Sequence, residues 1–468
     1  MTREPAPALP DAAAETAART TYAGWMRHGV RVAEQLVTTD VDAPAWPDPA
    51  PATGAVKPAR TERPPPEYPL QRTSIETALD LGWLVAAASE SEPPPGDGVL
   101  RGLTVAVKDV IDVAGLPVHN GTPGALWRLP TESADAWDSL AAAGARCVGK
   151  AATHEMAWGV TTPQIPHPLD PDRVTGGSSG GSAACVAAHV CDGALGTDTG
   201  GSIRIPAALC GVVGFRPTTG AVDMGGVTPL APEQDVVGPL AGDVRTCTAM
   251  LEVLLGRPLG SGLVADGLRL GVLRDPGPLD PATDTAYRQT LKALARTGVD
   301  VIAVETPLPR QAGSISLLTM LRSSAEQHGG AVRSDPAGFG GEARALLTLG
   351  AELTDHVAVV VDRARTTLAS ETARLFTGQK LDAFLTPTTA CVAPPRGSDT
   401  IEIANRSVAV ASALTRFTAW ASVTGMPAVS VPIQASGLPV GGQVMAPPNS
   451  EHVCAGLALH IEELGRRY

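Results

Sequence analysis

Two closely spaced clusters of glycine and serine, each set between apolar runs, restrict this chain more than any other feature. Thr175 to Ser182 reads T-G-G-S-S-G-G-S, and Gly196 to Pro206 reads G-T-D-T-G-G-S-I-R-I-P. Flexible linkers share this composition, but they do not lead straight into a strand–turn–strand core. Sharp turns inside apolar surroundings belong to a layered protein. Gly (50) and Pro (42) make up nearly a fifth of the 468 residues, too many for a helical bundle or a coiled coil.

The pattern around the clusters agrees. Leu103, Val105 and Val107 alternate with Thr104, Ala106 and Lys108, a period-two strand signal. Further strands are expected at Arg146–Gly149, Ala194–Thr197, Leu268–Leu273, Val299–Val304, Ala383–Leu385 and Ala428–Pro432. Helices are expected at Ala134–Ala143 and Ala183–His189, from the cap Asp280-Pro281 to Gly298, over most of 341–378, and from Ser450. Such alternation predicts an α/β architecture: one large domain with a central mixed, mainly parallel sheet covered by helices on both faces. We assign it residues 99–468. Residues 1–98 hold fifteen of the 42 prolines and read as an accessory arm. The arm has one helix over residues 12 to 38, a Pro-rich connector from Pro44 to Pro69, a second helix near Ile75–Ala88 and a break at Pro93-Pro94-Pro95.

A formal charge of −12 argues against a general nucleic-acid or anionic-membrane binder, whose affinity comes from neutralising phosphates. No run of about 18 uncharged apolar residues suggests a membrane span. Seven cysteines without a CxxC pair read as reduced thiols, with no metal cluster and no cofactor, and Glu4, Asp11 and Glu15 interrupt any signal-peptide layout. A cytoplasmic protein is the expectation.

Several short patterns compete for chemistry. Gly144–Lys150 fits the first seven positions of a phosphate-binding loop, but Ala151 stands where Ser or Thr must hold magnesium. His154-Glu155 opens like a zinc-protease helix, and no second His follows. Gly177–Gly181 matches G-x-S-x-G, which would make Ser179 a nucleophile. That elbow needs an acid and then a His in a distinctive loop, and His328, His356, His452 and His460 offer no such context.

The fuller signal joins three places. Gly200 and Gly201 before Ser202 let successive backbone N–H groups face one point, which is what stabilising a developing oxyanion requires. Lys108 ends an otherwise apolar strand, where a dry setting would lower its pKa and make it a base. Lys108 in V-A-V-K-D, Ser178 in G-G-S-S-G-G-S and Ser202 in G-T-D-T-G-G-S-I-R-I-P together resemble the amidase signature family, with spacings of 70 and 24 residues. The likeness runs from about Leu100 to Thr246 and resumes weakly at Leu381–Pro387 and Ser436–Gln443.

The resemblance implies an amidohydrolase with a Ser–Ser–Lys triad. Ser202 would be the nucleophile, Ser178 (after a cis peptide from Gly177) the proton bridge, and Lys108 the general base. Backbone N–H groups of Thr199, Gly200, Gly201 and Ser202 would form the oxyanion hole, and Asp198 and Arg204 would brace the turn. Gly177, Ser179, Met156 and Trp158 would meet the substrate. The stretch His154–Pro163 looks more like hydrolases of small amides and ureides, such as biuret and allophanate hydrolases, than like the glutaminase component of tRNA-dependent glutamine amidotransferases, which usually has Asp in place of His154. The implied partner is a small-molecule amide, and relatives are often homodimers. An amidotransferase component, a biosynthetic acyltransferase sharing the acyl-enzyme, and an inactive binding module are the alternatives.

Overall fold

The computed structural model describes residues 11–37, 44–47, 73–89, 98–260 and 267–466. Short apolar runs punctuated by glycine and proline become strands. They are β1 (Leu84–Ala87), β2 (Thr104–Lys108), β3 (Arg146–Ala151), β4 (Gly193–Asp198), β5 (Val213–Arg216), β6 (Val236–Ala241) and β7 (Arg269–Leu273). After them come β8 (Asp300–Val304), β9 (Ala383–Pro387), β10 (Thr400–Ile403), β11 (Arg406–Ala409), β12 (Ala428–Ile433) and β13 (Val440–Met445). β10 and β11 form a separate hairpin. The other eleven make one sheet in the order β1-β3-β2-β4-β6-β5-β12-β13-β9-β7-β8.

The α/β class and the mixed sheet are present, but the parallel majority is not. Among the described residues, β2 runs parallel to β3 and β4, and β7 to β8 and β9, while the other six neighbouring pairs are antiparallel. Parallel pairing appears where a helix crosses between successive strands, as Asp135–Ala142 does from β2 to β3 and Pro281–Ala295 from β7 to β8. The centre is built from β5, β6 and β13, which the sequence pattern did not single out. β12 and β13 are joined directly by a short loop and so run antiparallel.

Both faces of the sheet are covered. Phe384 and Met445 point into one apolar cluster with Leu368 and Trp420. Their chain neighbours Leu385 and Val444 point into another, with Leu457 and Ile461 of the helix Glu451–Gly465. Period-two alternation therefore sends successive side chains into two cores, so the central strands are apolar at nearly every position.

The first 98 residues contribute to this body. The helix Ala12–Leu36 packs on the helices Leu308–Ser334 and Gly341–Ala351. Glu15 there accepts from Arg344 Nε at 2.9 Å, and Tyr22 Oη donates to Glu342 at 3.0 Å. The second expected helix is shorter than Ile75–Ala88. It stops at Asp80, Gly82 turns the chain in the left-handed region, and β1 pairs with β3 as an edge strand. Nearly all of the Pro44–Pro69 connector, and the Pro93–Pro95 break, lie outside the described residues.

Candidate active site

Lys108 is the last residue of β2, flanked on both sides by parallel neighbours, and its side chain is completely buried. Its Nζ lies 2.7 Å from Ser178 Oγ and 2.7 Å from Thr197 Oγ1. Burial pushes the amine down from its ordinary 10.5 to about 7, against the opposing pull of the Asp198 and Asp235 carboxylates. Near neutrality this amine is therefore substantially unprotonated and able to accept a proton.

Ser178 stands on the glycine–serine loop that feeds the helix Gly180–Ala187, and the Gly177–Ser178 peptide is cis. The Ser178 carbonyl accepts from His154 N at 3.0 Å and from Thr162 Oγ1 at 3.3 Å. A Cβ on Gly177 would lie 2.8 Å from both Thr161 N and Thr162 Oγ1, so only glycine fits there.

Ser202 follows β4 and remains 6% exposed. Its carbonyl accepts from Ser179 N at 3.1 Å, which joins the two serine loops. Among the described contacts the Ser202 and Ser178 hydroxyls are not hydrogen-bonded to each other. The turn before Ser202 is organised by Asp198, whose two oxygens accept from Gly201 N at 2.9 Å, Ile203 N at 3.2 Å and Arg204 at 2.8 and 2.9 Å. Arg216 adds a second buried guanidinium, 3.1 Å from Asp198 Oδ1. Burial alone would raise the Asp198 carboxyl, but Arg204 and Arg216 together hold it well below the usual carboxylate range.

This arrangement corrects two expectations. The Gly201 N–H is not free for an oxyanion, because Asp198 claims it. The amides of Thr199, Gly200 and Ser202 have no protein acceptor among the described contacts. Ser179 is not placed to touch substrate: its Oγ donates to Thr197 O at 3.1 Å and accepts from Thr197 N at 3.3 Å, inside the core.

Beside Gly200 opens a cavity of about 350 Å³. Trp158 lines it, and the indole N–H has no protein partner. Met156 does not line it. Its backbone turns into the left-handed region and its side chain packs in a core with Phe339 and Leu346, a third correction. The long helix Leu308–Ser334 supplies one wall, and Tyr22 and Trp25 of the N-terminal helix another. Sequence reasoning expected the region from about Pro307 to Gly340 to help wall the pocket, but it missed Tyr22 and Trp25 there, as it missed Thr197, Arg216 and Asp235. Asp235 Oδ1 accepts from Thr199 Oγ1 at 2.5 Å and backs the same turn. Arg216 could have been found by the signal that marked Lys108, a cation ending an apolar strand.

Residues 82–455 match the family profile described as Amidase. The chain belongs to the amidase family. As an amidase it is an enzyme that acts on amide carbon–nitrogen bonds. It is 35% identical over 354 residues to an amidase from Pseudomonas putida, covering 72% of this chain and 75% of that one. It is 32% identical over 427 residues to the A-type component of the glutamyl-tRNA(Gln) amidotransferase from Synechococcus sp. (strain RCC307), covering 81% and 86%. A solved amidase structure superposes with a TM-score of 0.75 at 31% identity, over 84% of this chain and 96% of that chain. Among the described residues, no helix of this amidase is long and apolar enough to cross a membrane.

Proposed function

We propose that this amidase hydrolyses a small amide through an acyl-enzyme on Ser202. Ser202 Oγ attacks the carbonyl carbon, its proton moves to Ser178 Oγ, and the Ser178 proton moves to Lys108 Nζ. The resulting oxyanion accepts from the amides around Thr199, Gly200 and Ser202. On collapse the carbon–nitrogen bond breaks, Ser178 protonates the departing nitrogen, and Lys108 returns a proton to Ser178. Water then repeats the sequence on the ester, releasing a carboxylic acid and free Ser202.

The observation that carries this reading is the 2.7 Å contact between Lys108 Nζ and Ser178 Oγ in a site without solvent, one loop away from a slightly exposed Ser202. A phosphonofluoridate probe tests it. One adduct should form, map to Ser202 by peptide mass spectrometry, and abolish turnover. Labelling elsewhere, or turnover that survives the adduct, refutes it.

The similarity to a protein named for tRNA-dependent amidotransfer favours a second reading, in which glutamine is the amide and its ammonia passes to a partner. Glutaminase activity that requires an added partner protein would select this reading over the first.

A further inference from the structure

The cavity beside Gly200 carries charged side chains that the proposed mechanism does not use. Two arginines line it, Arg310 and Arg416, and among the described residues no aspartate or glutamate does. In a chain of net charge −12 this is a local reversal of sign. The two cations flank one point: a Cβ on Gly277 would lie 3.5 Å from Arg416 Nη1 and 3.7 Å from Arg310 Nη2. Their protein partners leave the charge largely unanswered. Arg416 Nη1 donates to a neutral carbonyl, Pro278 O. Arg310 meets Asp275 at 3.2 Å, but these side chains are 67% and 76% exposed, so that pair is screened and weak. Burial pushes Arg416 below its ordinary value, and although Cys391 opposes this, Arg310 pushes it further in the same direction.

The remaining walls are apolar. Trp25, Trp158, Val160, Leu317, Met320 and Ala419 line the cavity together with the two arginines. The reacting end is fixed by contact, since a Cβ on Gly200 would lie 3.7 Å from Ser316 Oγ and from Met320 Sδ. Arg310 is on the same helix as Ser316, six residues earlier, which is about 9 Å along the axis. Arg416 is two residues before Thr418, whose Oγ1 donates to Gly200 O at 2.7 Å. The chamber therefore combines apolar walls with two guanidinium-bearing side chains, beside the turn that carries Ser202.

We propose that the acyl group of the substrate carries a carboxylate, separated from the scissile carbonyl by an apolar chain of on the order of 9 Å and held by Arg310 and Arg416. This rests on the acyl-enzyme reading: the acyl part stays bound through both half-reactions, so the walled chamber beside Gly200 is assigned to it and the amine leaves toward solvent. Guanidinium suits the task because its planar donors match a carboxylate and keep their charge at any working pH.

Two chromogenic amides test this, suberic acid mono-p-nitroanilide and octanoyl p-nitroanilide, which have the same chain with and without the terminal carboxylate. The expected result is a kcat/KM for the suberyl compound at least tenfold higher, falling as salt is added. In Arg310→Gln and in Arg416→Gln the ratio of the two substrates should collapse by on the order of ten- to a hundredfold. An octanoyl compound turned over as well as the suberyl one, or an unchanged ratio in both variants, overturns the assignment while leaving the acyl-enzyme intact. If neither anilide is turned over and Ser202 takes no phosphonate, the catalytic reading itself has failed. Calorimetry of suberate with Ser202→Ala then decides the subsite alone: binding that weakens in the added Arg310→Gln change supports it, and absence of binding overturns it.

Discussion

Arg204 Nη2 donates to Asp198 Oδ1 at 2.8 Å, and solvent reaches neither side chain. The same guanidinium also reaches Gln443 Oε1 at 2.6 Å, Thr418 O at 2.9 Å and Ser422 Oγ at 2.9 Å. One ion pair thus ties the turn before Ser202 to β13 and to the helix Thr418–Thr424. Removing one partner of such a pair leaves an uncompensated buried charge. Asp198→Ala strands two guanidiniums and frees the amides of Gly201 and Ile203. It should cost about 3–5 kcal/mol of stability, read from urea unfolding midpoints, and lower kcat as the turn loosens.

The lowered amine of Lys108 sets a pH profile. As a base it must be neutral, so kcat/KM should rise with pH and reach half its plateau near pH 7. A profile flat from pH 5 to 9 would contradict its role.

The same amine makes stability depend on pH with a defined sign. Between about 7 (folded) and 10.5 (unfolded) the folded chain binds fewer protons than the unfolded chain, so unfolding free energy rises with pH across that window. Below pH 7 the contribution is constant and unfavourable. Lys108→Met should flatten the slope, raise the urea midpoint at pH 7 and sharply lower turnover; the check is urea titration at several pH values.

Two adjacent glycines should respond in opposite ways. Gly201 has φ +135, and a Cβ there would lie 2.3 Å from Thr418 Oγ1, so Gly201→Ala should unfold at markedly lower temperature. A Cβ on Gly200 makes only ordinary contacts at 3.7 Å. Gly200→Ala should melt like the parent and lose activity, because the methyl enters the substrate chamber. Calorimetric melting beside an amide assay separates them.

Ser202→Ala should form no acyl-enzyme by mass spectrometry. Lys108→Ala should lower kcat by about 10²–10⁴-fold, the usual contribution of a positioned base. Parent-like turnover in either variant would end the mechanism.

Much of this was legible in the sequence wherever one residue type had one use. Lys108, Ser178 and Ser202 stood out because reactive groups sat among glycines or apolar runs. β2 was visible by its period-two alternation and β7 as a short apolar run. β6, V-V-G-P-L-A, was not: Gly238 and Pro239 read as a turn, and with both faces buried it shows no polar alternation. The helix Leu308–Ser334 was hidden by Pro309, Gly313, Gly329 and Gly330, which tertiary packing overrides. The oxyanion donors were misjudged at Gly201, where the sequence shows two equivalent glycines and only the Asp198 carboxylate decides which amide it takes. Trp25 and Tyr22 could not be placed at the site because nothing local says which distant helix they will cover.

The stretch shared with the family begins at residue 82, yet Tyr22 and Trp25 come from a helix that ends at Leu36. The part that does the chemistry and the part that roofs it are thus far apart along the chain and held together by packing, with Ala33 of the roof in one apolar cluster with Ile315 and Leu318. An enzyme cut back to the common stretch would lose the roof and, with it, the apolar cover of the helices Leu308–Ser334 and Gly341–Ala351, so selectivity and stability would fall together.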